Sequence, residues 1–426
     1  MADNSPQNGN SFDAENQDNH NENKNVELKF DLQLQNTVLI LGVIVLFCYY
    51  ITFSILPILV GQIKDIKNKK LFAKTKKELQ INYINRYKSA KTNDFFLAGY
   101  MNKRKCSLSM NLLPNNNIII SGGNNEKLNS YFEIFNTENG LFKEYKLPAV
   151  YSQPRNSLLL PNNNVLINDS FIYNYKNDSF INIFNKKDFS KDSYSTSFMY
   201  SENQILINEY NNTYIYNIDT NKLQKIDIKF PKLFYKQFIK MNQNEIVIYG
   251  KNDRNSKHAG SWTTEIYLWN IKRNSFKRIA LENTYTNATV VKLNNEELIV
   301  FGNSHLGGKE QFTEKININT KKSTKLPNSI INRKNAPLAI LLSNKKIFLM
   351  GGETSSSKGK MIAEIFDPQT NQYKIGASYQ SFYLRRTDFC KPSILELANK
   401  DILICGGMTE TAKSIQNKCI ILKMEK

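Results

Sequence analysis

Short apolar segments separated by Asn-rich turns recur seven times from about residue 107 to the end of the chain. Each unit holds an apolar strand, a tight Asn-containing turn, a second apolar strand, a variable loop, a third strand with alternating side chains and a fourth strand. The second strands are predicted to begin at Ile118, Val165, Ile205, Ile246, Leu298, Ile347 and Ile402. Their spacing of 40 to 55 residues is typical of propeller blades. The pattern predicts an all-β fold, a seven-bladed β-propeller of four-stranded antiparallel blades.

The seventh unit is one strand short, because the chain stops soon after the third strand at 419–423. An unpaired sheet edge invites association with other chains, so a fourth strand is expected from elsewhere. The segment TNDFFLAGYMNKR at 92–104 has the pattern of a fourth strand and directly precedes the first unit. We therefore predict a propeller domain over 92–426 that is closed by a strand within 92–104.

An apolar segment precedes the repeats. Residues 37–61 read TVLILGVIVLFCYYITFSILPILVG and contain no charged residue. As a helix they would span about 37 Å, enough to cross the ~30 Å hydrocarbon layer of a bilayer. We predict one transmembrane α-helix here, which makes the chain a single-pass membrane protein. Residues 1–36 are acidic and Asn-rich and are predicted to be disordered. Residues 62–91 are predicted to form a Lys-rich linker that is helical in part.

Charge suggests the orientation of this helix. Seven Lys lie between Lys64 and Lys77, directly after the apolar segment, whereas the preceding residues are acidic. Because Lys and Arg near a membrane helix favour the cytoplasmic side, we predict a cytoplasmic propeller. The Lys64–Lys77 segment either contacts anionic lipid or only stops translocation. The net charge of +19 is interpreted as a solvated Lys-rich surface, and no nucleic-acid partner is expected.

Cysteine usage agrees with that orientation. The chain has five Cys, one of them inside the apolar segment, and no C-x-x-C pair. This arrangement indicates neither a disulfide framework nor a zinc site. We therefore expect reduced thiols, as in the cytosol.

The order of apolar strand, Gly-Gly doublet, spaced aromatic and strand-four aromatic resembles the kelch repeat. It is clearest in ILLSNKKIFLMGGETSSSKGKMIAEIFDPQTNQY at 340–373, while no Trp-Asp dipeptide of the WD type occurs. The glycines that match this pattern are Gly122, Gly123, Gly250, Gly302, Gly351, Gly352, Gly406 and Gly407. The resemblance implies a kelch-type propeller, similar to the central domain of galactose oxidase.

One end of the predicted ring should carry the long, variable loops, at 124–130, 251–263, 303–313, 353–360 and 408–417. Loops held by a rigid scaffold commonly carry binding residues. The candidates on that face are Arg104, Arg155, Arg254, His258, Trp262, His305, Arg333, Arg385 and Arg386. Arg side chains there would bind carboxylates or phosphates. The alternative is that they form structural pairs with backbone carbonyls, Asp or Glu.

Catalysis is not predicted. The chain has three His, and His258 and His305 lie in separate predicted loops, so no metal site and no cofactor are expected. The sequence favours a non-catalytic, membrane-tethered scaffold that binds a protein or peptide. Two alternatives remain open. One is an enzyme acting on an acidic sugar, similar to kelch-type sialic acid epimerase. The other is an extracytoplasmic carbohydrate-binding or adhesion domain.

Overall fold

The structure is a computed structural model. The residues it describes are 34, 36–52, 78, 81–105, 107–123, 131–148, 157–184, 195–209, 212–253, 262–304, 310–333, 337–352, 360–380, 392–407 and 415–425. The chain divides into two compact units, residues 1–75 and residues 76–426. Most of the predicted disordered tail and the Lys64–Lys77 segment lie outside the described residues.

The larger unit contains seven sheets of four antiparallel strands, one for each predicted repeat. Blade 1 consists of β2 (Leu108–Leu112), β3 (Ile118–Gly122), β4 (Tyr131–Phe135) and β5 (Phe142–Lys146). Blade 2 consists of β6 (Ser157–Leu159), β7 (Val165–Ile167), β8 (Phe171–Asn174) and β9 (Ser179–Asn182). Blade 3 consists of β10 (Thr196–Met199), β11 (Gln204–Asn208), β12 (Thr213–Asn217) and β13 (Lys222–Ile226). Blade 4 consists of β14 (Phe234–Lys240), β15 (Glu245–Asp253), β16 (Trp262–Asn270) and β17 (Ser275–Ile279).

The remaining blades have the same strand order. Blade 5 consists of β18 (Tyr285–Lys292), β19 (Glu297–Ser304), β20 (Gln311–Asn317) and β21 (Lys322–Leu326). Blade 6 consists of β22 (Leu338–Leu341), β23 (Ile347–Met350), β24 (Lys360–Asp367) and β25 (Gln372–Gln380). Blade 7 consists of β26 (Ser393–Glu396), β27 (Ile402–Cys405), β28 (Lys418–Leu422) and β1 (Phe95–Tyr100). The predicted all-β, seven-bladed propeller is therefore confirmed.

Blade 7 is built from both ends of the propeller sequence. Strand β1 pairs antiparallel with β28, from Phe95 opposite Leu422 to Tyr100 opposite Lys418. The first strand of blade 7 contacts the first strand of blade 1, which completes the ring. The β1–β28 pair, where the two ends of the propeller sequence meet, and the adjoining junction of blades 7 and 1 are together called the seam below.

The apolar side chains form seven clusters, one between each pair of neighbouring blades. The second strands β3, β7, β23 and β27 are buried at every position, because each sheet is covered on both faces by its neighbours. Burial on both faces explains why these strands are continuous apolar runs without alternation. The spacing of these apolar runs along the sequence therefore predicted the number of blades.

The turns explain part of the Asn excess. Asn116 and Asn163 join the first and second strands of their blades with φ of 63° and 66°. Asn221, Asn274 and Asn371 have positive φ between the third and fourth strands. Asn tolerates this left-handed region better than most residues. The end of the ring that carries these turns is called the turn end, and the opposite end is called the loop end.

Two of the predicted loops at the loop end are shorter than expected. Strand β15 continues to Asp253, which lies opposite Trp262 in β16, and β19 continues to Ser304. The loops of blades 4 and 5 therefore begin later than the predicted 251 and 303.

In the smaller unit, residues 36–50 are helical and residues 51–52 continue as π-helix. In the part of the chain that the structure describes, no helix is both long and apolar enough to cross a bilayer. Residues 53–61 of the predicted transmembrane segment lie outside that part. The membrane helix stays a prediction.

The expectation of reduced thiols was wrong for one pair of cysteines. Cys405 in β27 and Cys419 in β28 form a disulfide, and both side chains are fully buried. The two residues lie directly opposite each other, with Cα atoms 4.2 Å apart. This short distance is typical of a non-hydrogen-bonded pair in an antiparallel sheet. The register of β27 against β28 creates this proximity, and the spacing of the cysteines along the sequence does not reveal it.

Candidate functional site

The structure describes few of the residues predicted for the binding face. Six lie outside the described residues: Arg155, Arg254, His258, His305, Arg385 and Arg386. Trp262 begins strand β16 instead of lying in a loop. Arg104 is exposed in the segment between β1 and β2, whereas Arg333 is buried, with 2% of its surface exposed. The two described arginines therefore have different environments.

Arg333 forms a buried ion pair. Its guanidinium donates to Glu364 Oε2 at 2.6 and 3.1 Å, to the Gly351 carbonyl at 2.6 Å and to the Ile362 carbonyl at 3.0 Å. Glu364, in β24, is fully buried and also accepts a bond from the Ile331 amide at 3.1 Å. For Arg333 this is the geometry of the structural alternative, because all three guanidinium nitrogens bond to a buried carboxylate or to backbone carbonyls. Arg333 joins the segment that enters blade 6 to the third strand of that blade.

Blades 1 and 5 contain the same kind of buried glutamate. Glu133 accepts bonds from the backbone amides of Asn102 and Lys103 at 2.7 and 3.2 Å. Glu314 accepts bonds from the Asn283 amide at 2.7 Å and from its side chain at 2.6 Å. Each of these carboxylates binds the segment that leads into the first strand of its own blade. We call this arrangement the glutamate clasp.

Sequence reasoning missed the cation of the clasp in blade 1. Lys105 lies two residues beyond the clasped Lys103, as Arg333 lies two beyond Ile331. Its ammonium group donates to the Tyr131 carbonyl at 2.7 Å, and 1% of the residue is exposed. Burial lowers the pKa of Lys105 to about 8, and the nearby Glu133 opposes that shift. The sequence analysis selected the neighbouring Arg104 instead. Once the clasp is known, the two-residue spacing from the residue whose amide the glutamate binds identifies Lys105.

The kelch-like glycines have two physical roles. Positive φ occurs at Gly122, Gly123, Gly351, Gly352, Gly406 and Gly407. At Gly406, a Cβ atom would also lie 2.5 Å from the Lys105 carbonyl oxygen. At Gly302 the constraint is space, because a Cβ atom would lie 2.4 Å from the Asn287 carbonyl oxygen. These glycines allow close approach where chain segments meet at the loop end.

A short helix, Tyr83–Ser89, docks at the turn end of the seam. Tyr83 is 2% exposed; its ring packs against Phe96 and Phe135, and its hydroxyl donates to the Thr137 carbonyl at 3.1 Å. A Cβ atom at Gly140, where φ is +71°, would lie 2.4 Å from Tyr83 Cγ. The third-to-fourth strand turn of blade 1 is therefore shaped to accept this ring.

The other end of the helix is bound by blade 7. The Lys423 ammonium donates to the carbonyls of Tyr87 and Ala90 at 3.0 and 2.9 Å. These carbonyls lie at the helix C-terminus, where a positive charge is stabilising. The Tyr87 hydroxyl donates to Asp401 Oδ2 at 2.6 Å. The helix is thus fixed to blade 1 by one tyrosine and to blade 7 by the other.

A pocket of about 340 Å³ lies beside this helix, between the turns of blades 1 and 7. The residues that line it include Tyr83, Tyr87, Leu397 and Ala398, with Glu138 and Asn399 among its polar groups. Burial raises the pKa of Tyr83 and of Tyr87 well above the usual range. Both hydroxyls donate within the protein, that of Tyr83 to the Thr137 carbonyl and that of Tyr87 to Asp401. We call this the seam pocket.

Metal binding and sequence relationships add little to this picture. Across the described residues, no group of three or more His, Cys, Asp or Glu side chains could hold a metal ion. Comparison of the sequence with known protein families and with curated proteins found no match.

Proposed function

We propose that this chain is a membrane-tethered binding scaffold, in which a kelch-type propeller presents the loop end of its ring to a protein or peptide. The glutamate clasp is the observation that carries the proposal. Buried carboxylates fix the segments entering blades 1, 5 and 6 at the loop end. Rigid attachment of this kind holds the bases of variable loops, which is the usual construction of a loop-borne binding site.

The glycine pattern supports the kelch assignment. Gly-Gly doublets with positive φ follow the second strands of blades 1, 6 and 7. These doublets stand where the kelch-like order of the sequence predicts them, and the four-stranded blades and the strand exchange at the seam agree with that order.

The apolar segment supports the tether. Large hydrophobic side chains from Val38 to Tyr50 are exposed by 51% to 69% around a continuous helix. Exposure of this kind is unfavourable in water and favourable in lipid. The 25 uncharged residues 37–61 provide the length needed for a membrane span.

The disulfide favours a second candidate, an extracytoplasmic carbohydrate-binding or adhesion domain. Disulfides persist in oxidising compartments and are rare in the cytosol. Cys405–Cys419 therefore opposes the orientation predicted from the Lys-rich flank. Protease added to intact cells distinguishes the two: digestion of the propeller places it outside, and protection places it in the cytoplasm.

The scaffold proposal is tested by affinity capture with the full chain in lipid nanodiscs. Arg104→Glu reverses an exposed charge at the loop end, and Lys272→Glu reverses one at the turn end. We expect a saturable partner that the wild type and Lys272→Glu retain and that Arg104→Glu loses by about tenfold in affinity. Failure to capture any saturable partner, or equal losses in both variants, would refute the proposal.

A further inference from the structure

The helix at the seam has a second apolar side that the propeller does not bury. Tyr83 faces inward, whereas Ile84 and Lys88, four residues apart, share an exposed flank of the helix that also lines the seam pocket. Ile81 lies two residues before the helix begins. Ile81 is 68% exposed and Ile84 is 44% exposed. Among the described residues, neither isoleucine belongs to the apolar clusters between the blades.

Neighbouring turns extend this surface. Leu141 is 45% exposed and follows Gly140, the residue that receives the Tyr83 ring. Lys88, Lys91 and Lys400 are exposed at the same end of the seam, where Asp94, Glu138 and Glu425 contribute opposing charges. Exposed aliphatic side chains near lysines are typical of helices that lie in a bilayer interface. We call Ile81, Ile84, Leu141, Lys88, Lys91 and Lys400 the seam face.

We propose that the seam face rests on the surface of an anionic lipid bilayer, with Ile81 and Ile84 in the interface and the lysines at the headgroups. The inference rests on the proposed membrane tether. Chain continuity selects lipid over a protein partner, because the 25 uncharged residues 37–61 and then the Lys-rich Lys64–Lys77 segment lead directly into this helix. Lysines near an anionic leaflet are attracted to it at short range.

Quenching by lipid bromine atoms tests the contact directly. The full chain carrying Ile84→Trp is reconstituted in vesicles of chain-brominated phosphatidylcholine with phosphatidylserine. The matched control is Ile330→Trp, which replaces an isoleucine that is 55% exposed and lies at the loop end. After subtraction of wild-type emission, we expect at least twofold stronger quenching for Ile84→Trp than for Ile330→Trp. We also expect the difference to shrink when phosphatidylserine is omitted.

The same vesicles separate failure of the inference from failure of the tether. If an alkaline wash releases the full chain, the tether is wrong and the inference falls with it. If the chain stays in the vesicles and the two variants are quenched equally, the seam face is refuted while the tether stands. A twofold difference that is unchanged without phosphatidylserine would overturn the role given to the lysines.

Discussion

Replacing Arg333 by alanine should destabilise the propeller strongly. The substitution removes the four hydrogen bonds that the guanidinium donates. Of the donors described above, the fully buried Glu364 then keeps only the Ile331 amide, at 3.1 Å. Loss of one partner from a buried ion pair costs about 3–5 kcal/mol, because the remaining charge is uncompensated. Arg104→Ala is the matched control, since removal of an exposed side chain usually changes stability by less than about 0.5 kcal/mol.

The assay is urea unfolding of the detergent-solubilised chain, followed by the fluorescence of Trp269, which is buried between blades 3 and 4. The double variant Arg333→Met, Glu364→Leu should recover much of the loss, because apolar replacement of a buried ion pair is often close to neutral. A loss below about 1 kcal/mol in Arg333→Ala, close to the Arg104→Ala value, would contradict a structural role. Arg333 would then return to the list of candidate binding residues.

Three further predictions concern the seam. Tyr83→Ala should cost about 3–5 kcal/mol in urea unfolding, as expected for a buried aromatic, while Tyr83→Phe should cost about 1 kcal/mol through the lost hydroxyl bond. Cys405→Ala should lower stability by about 3 kcal/mol, since the disulfide with Cys419 closes a loop of 14 residues, and dithiothreitol should destabilise only the wild type. Burial lowers the pKa of Lys105 in the folded state to about 8, from 10.5 for a lysine in water, so charging it opposes folding. Wild-type stability should therefore rise by about 3 kcal/mol between pH 8 and 10.5 relative to Lys105→Met, and parallel pH profiles would contradict this.

The sequence predicted the blades because their signal is local. A second strand such as Ile347–Met350 lies between sheets on both sides, so burial makes it a continuous apolar run that ends at glycine. The turn before the second strand places one residue at positive φ, which is Asn in blades 1 and 2 but Lys345 in blade 6. Apolar periodicity therefore carries the prediction, and turn chemistry supports it only in some units.

The clasp and the disulfide could not be predicted in the same way, because each depends on register between distant segments. Glu133 lies 30 or more residues from the amides it binds, and Cys405 faces Cys419 only once β27 and β28 have paired. Charge alone made Arg104 and Arg333 look equivalent. The two arginines differ in burial, and that difference depends on whether the side chain lies next to a glutamate on another strand.

The sequence does not predict the seam pocket, because the short turns at the turn end give no sign of a binding site. Tyr83 and Tyr87 are four residues apart, which indicates one side of a helix within the predicted linker 62–91. Their partners, Gly140 and Asp401, lie in different blades, and nothing in their local sequence points to this helix.

The seam joins the two ends of the propeller sequence, and several structural constraints lie there. Strand β1 follows the docked helix directly and pairs with β28. Lys423, just beyond β28, binds the carbonyls at the helix C-terminus. The disulfide joins β28 to β27 within the same blade. Tension applied through residues before the helix must therefore break the helix contacts before it can reach β1. The docked helix and the β1–β28 pair that closes the ring are thus fastened at the same place.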